Sequence, residues 1–334
     1  MTNKNTNPKV KILVGYHKPA TLIKNEVFVP IHLGRDLATQ ASKDGEMSQG
    51  DFKWLCENMI GDNTGENISH LNRYFCELTG IYWAWKNYDK LGNPDYIGFM
   101  HYRRFLFNDD GEFINKNMQF PFSSLYYIED NVLHIDKTLK EFDIGMPYSE
   151  NVSDRGFENI KDQFSKSQGH NIRDLELAIA YIENNYPEMQ NFVKQYFNGV
   201  SGYFYNMFIL SRKHFINYCS FIFDLGIQLH NFIREERSIA YVLERITGFY
   251  LYYLKCQKDI AFREFPVAYI QNTSIIKPLE LVFDKNFIPI VFCSDDNYAA
   301  YTAVAIQSII ENIKQNCYKL DIVIFSDNIS SKYK

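Results

Sequence analysis

The sequence predicts an α/β protein: a central mixed, mostly parallel sheet flanked by helices, followed by a partial second α/β unit. Three observations carry that expectation. Val10–Tyr16 is a short apolar run closed by Tyr16-His17-Lys18-Pro19, where the proline ends pairing. Tyr96-Ile-Gly-Phe-Met100 repeats the pattern after a Gly92-Asn93-Pro94 turn signal and ends abruptly in His101-Tyr102-Arg103-Arg104. Segments with apolar residues at helical spacing separate such runs, an alternation that builds parallel sheets.

The stretch 95–107 organises the functional reading. In open α/β sheets, ligands sit in the crevice beyond the carboxyl ends of the strands. Two fixed cations and an imidazole at such an edge make a seat for an anion, because guanidinium donors match phosphate oxygens in pairs. The plain alternative is that one arginine pairs with a carboxylate and the other is solvated.

Composition narrows the classes. A chain of 334 residues holds one large α/β domain plus a fragment, or two domains. A net charge of −5 without a basic tail argues against a nucleic-acid partner. Cys56, Cys76, Cys219, Cys256, Cys293 and Cys317 are scattered without metal-finger spacing, and no secretory signal precedes them, which points to reduced thiols in a cytoplasmic protein. No apolar run reaches the ~18 residues of a membrane span, which leaves peripheral association at the inner face of the membrane as the route to a lipid surface. The 27 Phe and 24 Tyr exceed ordinary usage; most belong in the core, and some tyrosines line a cleft.

The elements follow in order. Residues 1–8 are polar and expected to be disordered. Residues 26–31 hold a second strand, and 34–48 a polar loop or short helix. Gly61-Asp-Asn-Thr-Gly-Glu-Asn-Ile68 is a turn cluster in which Asn63 and Asn67 carry amides suited to reading a base or ribose, or simply form a surface loop. Residues 72–88 read as one helix, with Tyr74, Leu78, Ile81, Tyr82 and Trp85 on one face and Glu77 near its middle. Residues 107–131, aromatic and irregular, suit a flap over a cleft. Phe142–Met146 reads as a strand closed by Pro147. His170 follows a short polar segment, and Pro187 splits two amphipathic helices. Residues 203–210 read as a strand with Asn206 in its middle, where the amide is either a core hydrogen-bonding node or a ligand contact. Helices at 213–229 and 238–255 follow, the second carrying Glu244-Arg245 amid apolar residues, so that Glu244 pairs or lines a cleft. A strand pair at 260–269 contains Pro266. After a composition change at 275–287 the pattern restarts: strand 288–293, Ser294-Asp-Asp-Asn-Tyr298, helix 301–313 and strand 320–325. That unit is expected to be the truncated start of a second domain (288–334), joined by the 275–287 linker to a first domain spanning 9–274.

Several stretches together are specific: Val14-Gly-Tyr-His-Lys-Pro, Gly61-Asp-Asn-Thr-Gly-Glu-Asn-Ile-Ser, Tyr74-Phe-Cys-Glu-Leu-Thr, Tyr82-Trp-Ala-Trp-Lys-Asn, Tyr96-Ile-Gly-Phe-Met-His-Tyr-Arg-Arg-Phe, Asp143-Ile-Gly-Met-Pro, Tyr205-Asn-Met-Phe-Ile and Leu243-Glu-Arg. In this order they resemble the bacterial family known as domain of unknown function 4422, found in capsule and O-antigen gene clusters, with members assigned as glycosyltransferases, galactofuranosyltransferases among them. The second unit resembles the opening of a glycosyltransferase family 8 domain, whose metal-binding Asp-x-Asp would lie further downstream.

The resemblance implies a GT-A-like fold that moves a sugar, galactofuranose on the family's example, from a UDP-sugar to a polysaccharide or lipid-linked glycan acceptor. GT-A enzymes usually place a metal-binding Asp-x-Asp at the end of the central strand. His101-Tyr102-Arg103-Arg104 stands there instead, and Asn108-Asp109-Asp110 lies past the strand. The expected first domain is therefore inverting and needs no cofactor, a divalent metal belonging only to a complete family 8 domain. Donor contacts are assigned to Tyr16, His17, Lys18, Asn63, Asn67, His101, Tyr102, Arg103 and Arg104. Acceptor contacts are assigned to His170 and Asn206. The general base is sought among Glu244, Glu77 and Asp62, with Glu244 first because it follows the Asn206 strand. Two other readings compete: a non-catalytic sugar-nucleotide or glycan-binding module assisting a partner transferase, and a phosphate-ester hydrolase. The missing metal cluster and Gly-x-Ser-x-Gly motif count against the hydrolase.

Overall fold

A computed structural model describes residues 8–40, 46–107, 117–120, 142–270, 287–312 and 319–326. The expected disorder at the N-terminus, most of the proposed flap, Asn108-Asp109-Asp110 and the linker up to residue 286 lie outside the described residues. The chain divides into two compact units, Met1–Ile275 and Ile276–Lys334.

Unit 1 is built on a mixed sheet. Its main path uses β1 (Val10–Tyr16), β2 (Phe28–His32), β3 (Ile60–Gly61), β4 (Tyr96–His101), β7 (Ile144–Pro147), β10 (Phe208–Ser211) and β11 (Phe262–Phe265), in the spatial order β11-β7-β10-β4-β1-β2-β3. All run parallel except β10, which is antiparallel to both neighbours. Two short strands, β5 (Arg104–Leu106) and β6 (Asn117–Phe120), join the sheet through β12 (Val267–Ile270). A separate ladder pairs β8 (Glu150–Asn151) with β9 (Ser201–Gly202).

Register fixes what meets at the carboxyl edge. Gly15 pairs with His101, Tyr16 with His32, and His32 with Gly61, so β1, β4, β2 and β3 end level with one another. Because β10 runs the other way, its lead-in arrives at this same edge. Phe208 pairs with Phe99, and extending that register by two brings residue 206 opposite His101. Topology thus delivers residues distant in sequence to one crevice.

Side-chain alternation sends each strand's residues into two cores, one on each face. On β1, Ile12, Val14 and Tyr16 enter one core and Leu13 the other; on β10, Ile209 enters the first and Phe208 and Leu210 the second. The larger core is covered by α3 (Leu78–Lys86), α5 (Ile172–Asn185), α6 (Gln190–Asn198), α7 (Arg212–His230) and α8 (Ser238–Lys255). The shorter helices are α1 (Gln49–Asn58), α2 (Asn72–Phe75) and α4 (Ile160–Ser165). Trp83, Phe75, Phe208, Phe215 and Tyr218 are wholly buried in this core, each worth about 1.5–3 kcal/mol for a side chain of that kind.

Three readings change. The segment 72–88 is two helices: Cys76 adopts φ 47° between α2 and α3, and the Asn72 side chain holds the break by donating to the Cys76 carbonyl (2.8 Å). Glu77 therefore begins α3 instead of lying in mid-helix. The strand read at 203–210 is only Phe208–Ser211, because Tyr205 and Asn206 take φ 80° and 51° and cannot continue a strand. Helix α1 is additional; Ser48 caps it by accepting from Asp51 N–H (3.0 Å), but only Leu55 is buried, so it lacks a clear apolar stripe.

Unit 2 is a strand–helix–strand unit: β13 (Phe287–Cys293), α9 (Ala299–Asn312) and β14 (Lys319–Phe325), with the strands parallel. Asp295 nucleates its turn by accepting from Asn297 N–H (2.9 Å) and Tyr298 N–H (3.1 Å).

Helix α8 presses directly on the lead-in to β10. A Cβ on Gly248 would lie 2.2 Å from the Tyr203 carbonyl oxygen, a backbone atom that cannot swing aside. Gly248→Ala is expected to lower unfolding free energy by about 1–3 kcal/mol. Urea melts of this variant and wild type measure it, and an unchanged midpoint would show that the contact carries no load.

Candidate active site

The site is built around two consecutive residues in the left-handed region, Tyr205 and Asn206. Neither is glycine, and such conformations cost of order 1–3 kcal/mol unless their surroundings hold them. The surroundings do. The Tyr205 N–H donates to Glu244 Oε1 (2.9 Å), its carbonyl accepts from His101 Nε2 (2.5 Å), and its hydroxyl donates to Glu150. Asn206 Nδ2 donates to Glu77 Oε1 (2.9 Å), while Asn206 Oδ1 is buried without a hydrogen-bond partner among the described residues. Two carboxylates from separate helices, Glu77 at the start of α3 and Glu244 within α8, are thereby drawn to one dipeptide.

The contact to a carbonyl requires that His101 Nε2 carry the hydrogen. Burial pushes the His101 imidazole below its ordinary pKa; the Glu77 carboxylate and the Tyr205 carbonyl pull upward, and the Arg104 charge pushes down again. Burial prevails, so His101 acts as a neutral donor that leaves its other ring nitrogen as an acceptor.

The cations come from the tight hairpin joining β4 to β5. Tyr102 N–H bonds back to the Gly15 carbonyl (3.1 Å), which ties the hairpin to the end of β1. Arg103 lies over the rings of Tyr102 (5.9 Å to the centroid) and Tyr269 (5.6 Å), and Arg104 over those of Tyr205 (5.2 Å) and Tyr269 (5.4 Å). Both guanidiniums are thus oriented by π faces. His17 packs edge-on against Tyr102 (5.2 Å), and His17 and Lys18 are exposed beside it. Among the expected donor residues, His17, His101, Tyr102, Arg103 and Arg104 come together here, and the exposed Lys18 follows His17 in the chain.

Glu244 is anchored at both oxygens: Oε1 by Tyr205 N–H and Oε2 by Arg245 Nη1 (3.4 Å). Arg245 is itself buried, held by Gln163 Oε1 (3.2 and 3.3 Å) and stacked on Phe204 (4.6 Å). The structural ion pair weighed for Glu244 is therefore present. His170 stacks on Tyr241 (4.3 Å), one turn before Glu244 on α8.

Four residues stand apart. The Tyr16 side chain turns into the core, donating to the Thr21 carbonyl (3.0 Å) and accepting from Ile23 N–H (3.1 Å). Asp62 is fully buried and saturated, accepting from Gly34 N–H, Ser69 Oγ and Thr79 Oγ1 (each 2.6 Å) and from Arg35 N–H (3.0 Å). That network stitches the loops after β2 and β3 to α3 and leaves no lone pair aimed at a substrate. Asn63 binds Asp36 (2.9 Å), and Asn67 folds onto Gly65 and Ser69. Both follow β3, three strands from β4, or ~14 Å across the sheet.

Glu150, Arg155 and Tyr269 join the site without a place among the residues expected from the sequence. Glu150 bonds Tyr205 and pairs with Arg155 (3.5 Å). Its signal was available, since it lies three residues beyond the Pro147 strand stop. The others become visible only through tertiary contacts.

The fold and this site define a class: an α/β protein with arginines and carboxylates gathered around one turn at the carboxyl edge of its parallel strands. The chain belongs to the family described as domain of unknown function DUF4422, whose model matches residues 11–254. It is similar to the apo structure of WbbM, a bifunctional glycosyltransferase, at 29% identity and a TM-score of 0.67; the match covers 97% of this chain and 56% of that one. The chain thus spans little more than half the length of that protein. No curated protein matches the sequence.

Two outcomes test the separation of structural from functional groups. Asp62→Ala leaves several buried donors unpaired and is expected to cost about 2–4 kcal/mol of stability; a full-stability variant in chemical denaturation would contradict the assignment. His32, buried at the end of β2, accepts from Arg35 Nε (3.1 Å), and burial, Arg35 and His17 lower its pKa from 6.5 to about 3. The unfolded chain therefore binds a proton that the folded chain refuses, and stability falls as pH drops from 6.5 toward about 3. His32→Gln should flatten that acid limb in urea melts from pH 7 to 4, and an unchanged slope would reject the linkage.

Proposed function

We propose that unit 1 is a glycosyltransferase that transfers a sugar from a UDP-sugar to a growing bacterial surface polysaccharide. The observation that carries this reading is the Tyr205–Asn206 turn, which stacks its ring on Arg104 and binds Glu244 and Glu77, with Arg103 beside Arg104 over Tyr269. Family membership and the likeness to WbbM support it. Galactofuranose is the sugar we propose, with a capsule or O-antigen chain, free or lipid-linked, as acceptor. The enzyme would work in the cytoplasm, touching the membrane only peripherally; among the described residues no helix is long and apolar enough to cross one.

The chemistry needs two things at once. Charge grows on the departing UDP as the sugar–phosphate bond breaks, and fixed cations that need no reorganisation stabilise it best. Arg103 and Arg104, with Lys18 at the rim, take that role. The acceptor hydroxyl attacks the anomeric carbon from the face opposite the departing UDP, which inverts that centre, and gives its proton to a base on that side. Glu77 is the better base than Glu244: Asn206 engages one of its oxygens, whereas both oxygens of Glu244 are anchored. Glu244 then frames the turn, and Asn206 and His170 lie on the acceptor side. In this reading the guanidiniums at the strand end take the place of a divalent metal.

The test is transfer of radiolabelled sugar from a panel of UDP-sugars, UDP-galactofuranose included, to a lipid-linked glycan. Glu77→Gln is expected to lower turnover about 10²–10⁴-fold while UDP affinity holds. Arg103→Ala and Arg104→Ala should each weaken UDP binding about tenfold or more, a charged hydrogen bond being worth ~1.5–3 kcal/mol. A chelator should leave transfer unchanged. Undiminished turnover in Glu77→Gln would dismiss it as base, and loss of transfer on chelation with rescue by manganese would overturn the metal-free mechanism.

A further inference from the structure

Tyr205 touches both the arginine hairpin and the groups bound to the turn. Its ring lies under the Arg104 guanidinium (5.2 Å). Its backbone N–H anchors Glu244 (2.9 Å), its carbonyl receives His101, and the residue after it binds Glu77. Its hydroxyl donates to Glu150, itself paired with Arg155 (3.5 Å). The backbone is in the left-handed region at φ 80°, which a tyrosine adopts only when its surroundings impose it.

We propose that Tyr205 is a positioning residue that couples the two walls. Glu150 fixes the phenol, the ring fixes Arg104, and the imposed backbone conformation fixes Glu244 and Asn206. Glu150, supported by Arg155, belongs to the same device although neither would touch substrate. The inference rests on the proposed donor role of Arg104. It adds that the orientation of Arg104 is set from the acceptor side of the cleft, through a tyrosine whose backbone holds the acceptor-side groups.

The physical logic is pre-organisation. A guanidinium on a long side chain loses rotamer freedom when it binds a diphosphate. A ring already stacked against it removes part of that cost before the ligand arrives. Tyr269 covers the same guanidinium at 5.4 Å, so removing one ring loosens Arg104 without releasing it.

The experiment is calorimetric titration of the full chain with UDP. Tyr205→Phe keeps the ring and loses the hydroxyl, Tyr205→Leu loses the π face, and Glu150→Gln weakens the acceptor of the phenol. UDP binding is expected to weaken about fivefold in Tyr205→Leu. Tyr205→Phe and Glu150→Gln should each weaken it two- to threefold, and their combination no further, since both remove one interaction. Tyr205→Leu combined with Arg104→Ala should bind no worse than Arg104→Ala alone, because the ring acts only through that guanidinium. A merely structural role would give losses that multiply in both double variants and track the melting temperature. Multiplying losses, or UDP affinity unchanged in every Tyr205 variant, would overturn the inference. Failure of the wild-type chain to bind UDP would overturn the donor reading as well, whereas wild-type binding with indifferent variants would remove this inference alone.

Discussion

The structure of the cleft depends on one constraint: two adjacent non-glycine residues, Tyr205 and Asn206, held in left-handed backbone conformations. A strand entering the edge of a sheet would ordinarily stay extended and point its side chains up and down in turn. Here the chain turns just before β10 and offers its polar backbone and an amide to the crevice. The turn persists because an imidazole, two carboxylates and a buried helix each hold one part of it. Local strain at this one place is met by contacts from α3, α8 and β4, three elements far apart in sequence.

The electrostatic arrangement follows. Arginines and carboxylates placed this close would normally collapse into ion pairs and cancel one another. The structure prevents that by giving each charge another occupation. Arg103 and Arg104 rest on tyrosine rings, Glu244 is tied to Arg245 and Tyr205, and Glu77 to Asn206. Each of these side chains is therefore held in place around the turn by a partner of its own.

Much of this was legible in the sequence. The first strand, the strand ending in His101 and the long helix over 238–255 were all readable from apolar runs and their stops, and the mixed sheet they imply is the one observed. The hairpin cations were readable because a strand end is a physical address. Asp62 and Tyr16 were misplaced for a common reason: a polar group at a strand end looks the same in sequence whether it faces the crevice or the loops beneath it. Asp62 is used up by four hydrogen bonds from groups that lie close only after folding. Asn206 reads as mid-strand because Tyr-Phe-Tyr before it and Met-Phe-Ile-Leu after it favour a strand, and only the tertiary grip on Tyr205 overrides them. The break at Cys76 was hidden in the same way, since no glycine or proline marks it.

In the proposed function, the region between the arginine hairpin and the Tyr205–Asn206 turn receives a uridine diphosphate. A crystal structure of the chain with UDP tests it most directly. The account predicts the diphosphate oxygens within hydrogen-bonding distance of the Arg103 and Arg104 guanidiniums, with Tyr205 still left-handed and stacked under Arg104 and with Glu77 open on the far side. UDP bound away from the carboxyl edge of β1 and β4, or a Tyr205–Asn206 turn that relaxes to extended backbone in its presence, would contradict it.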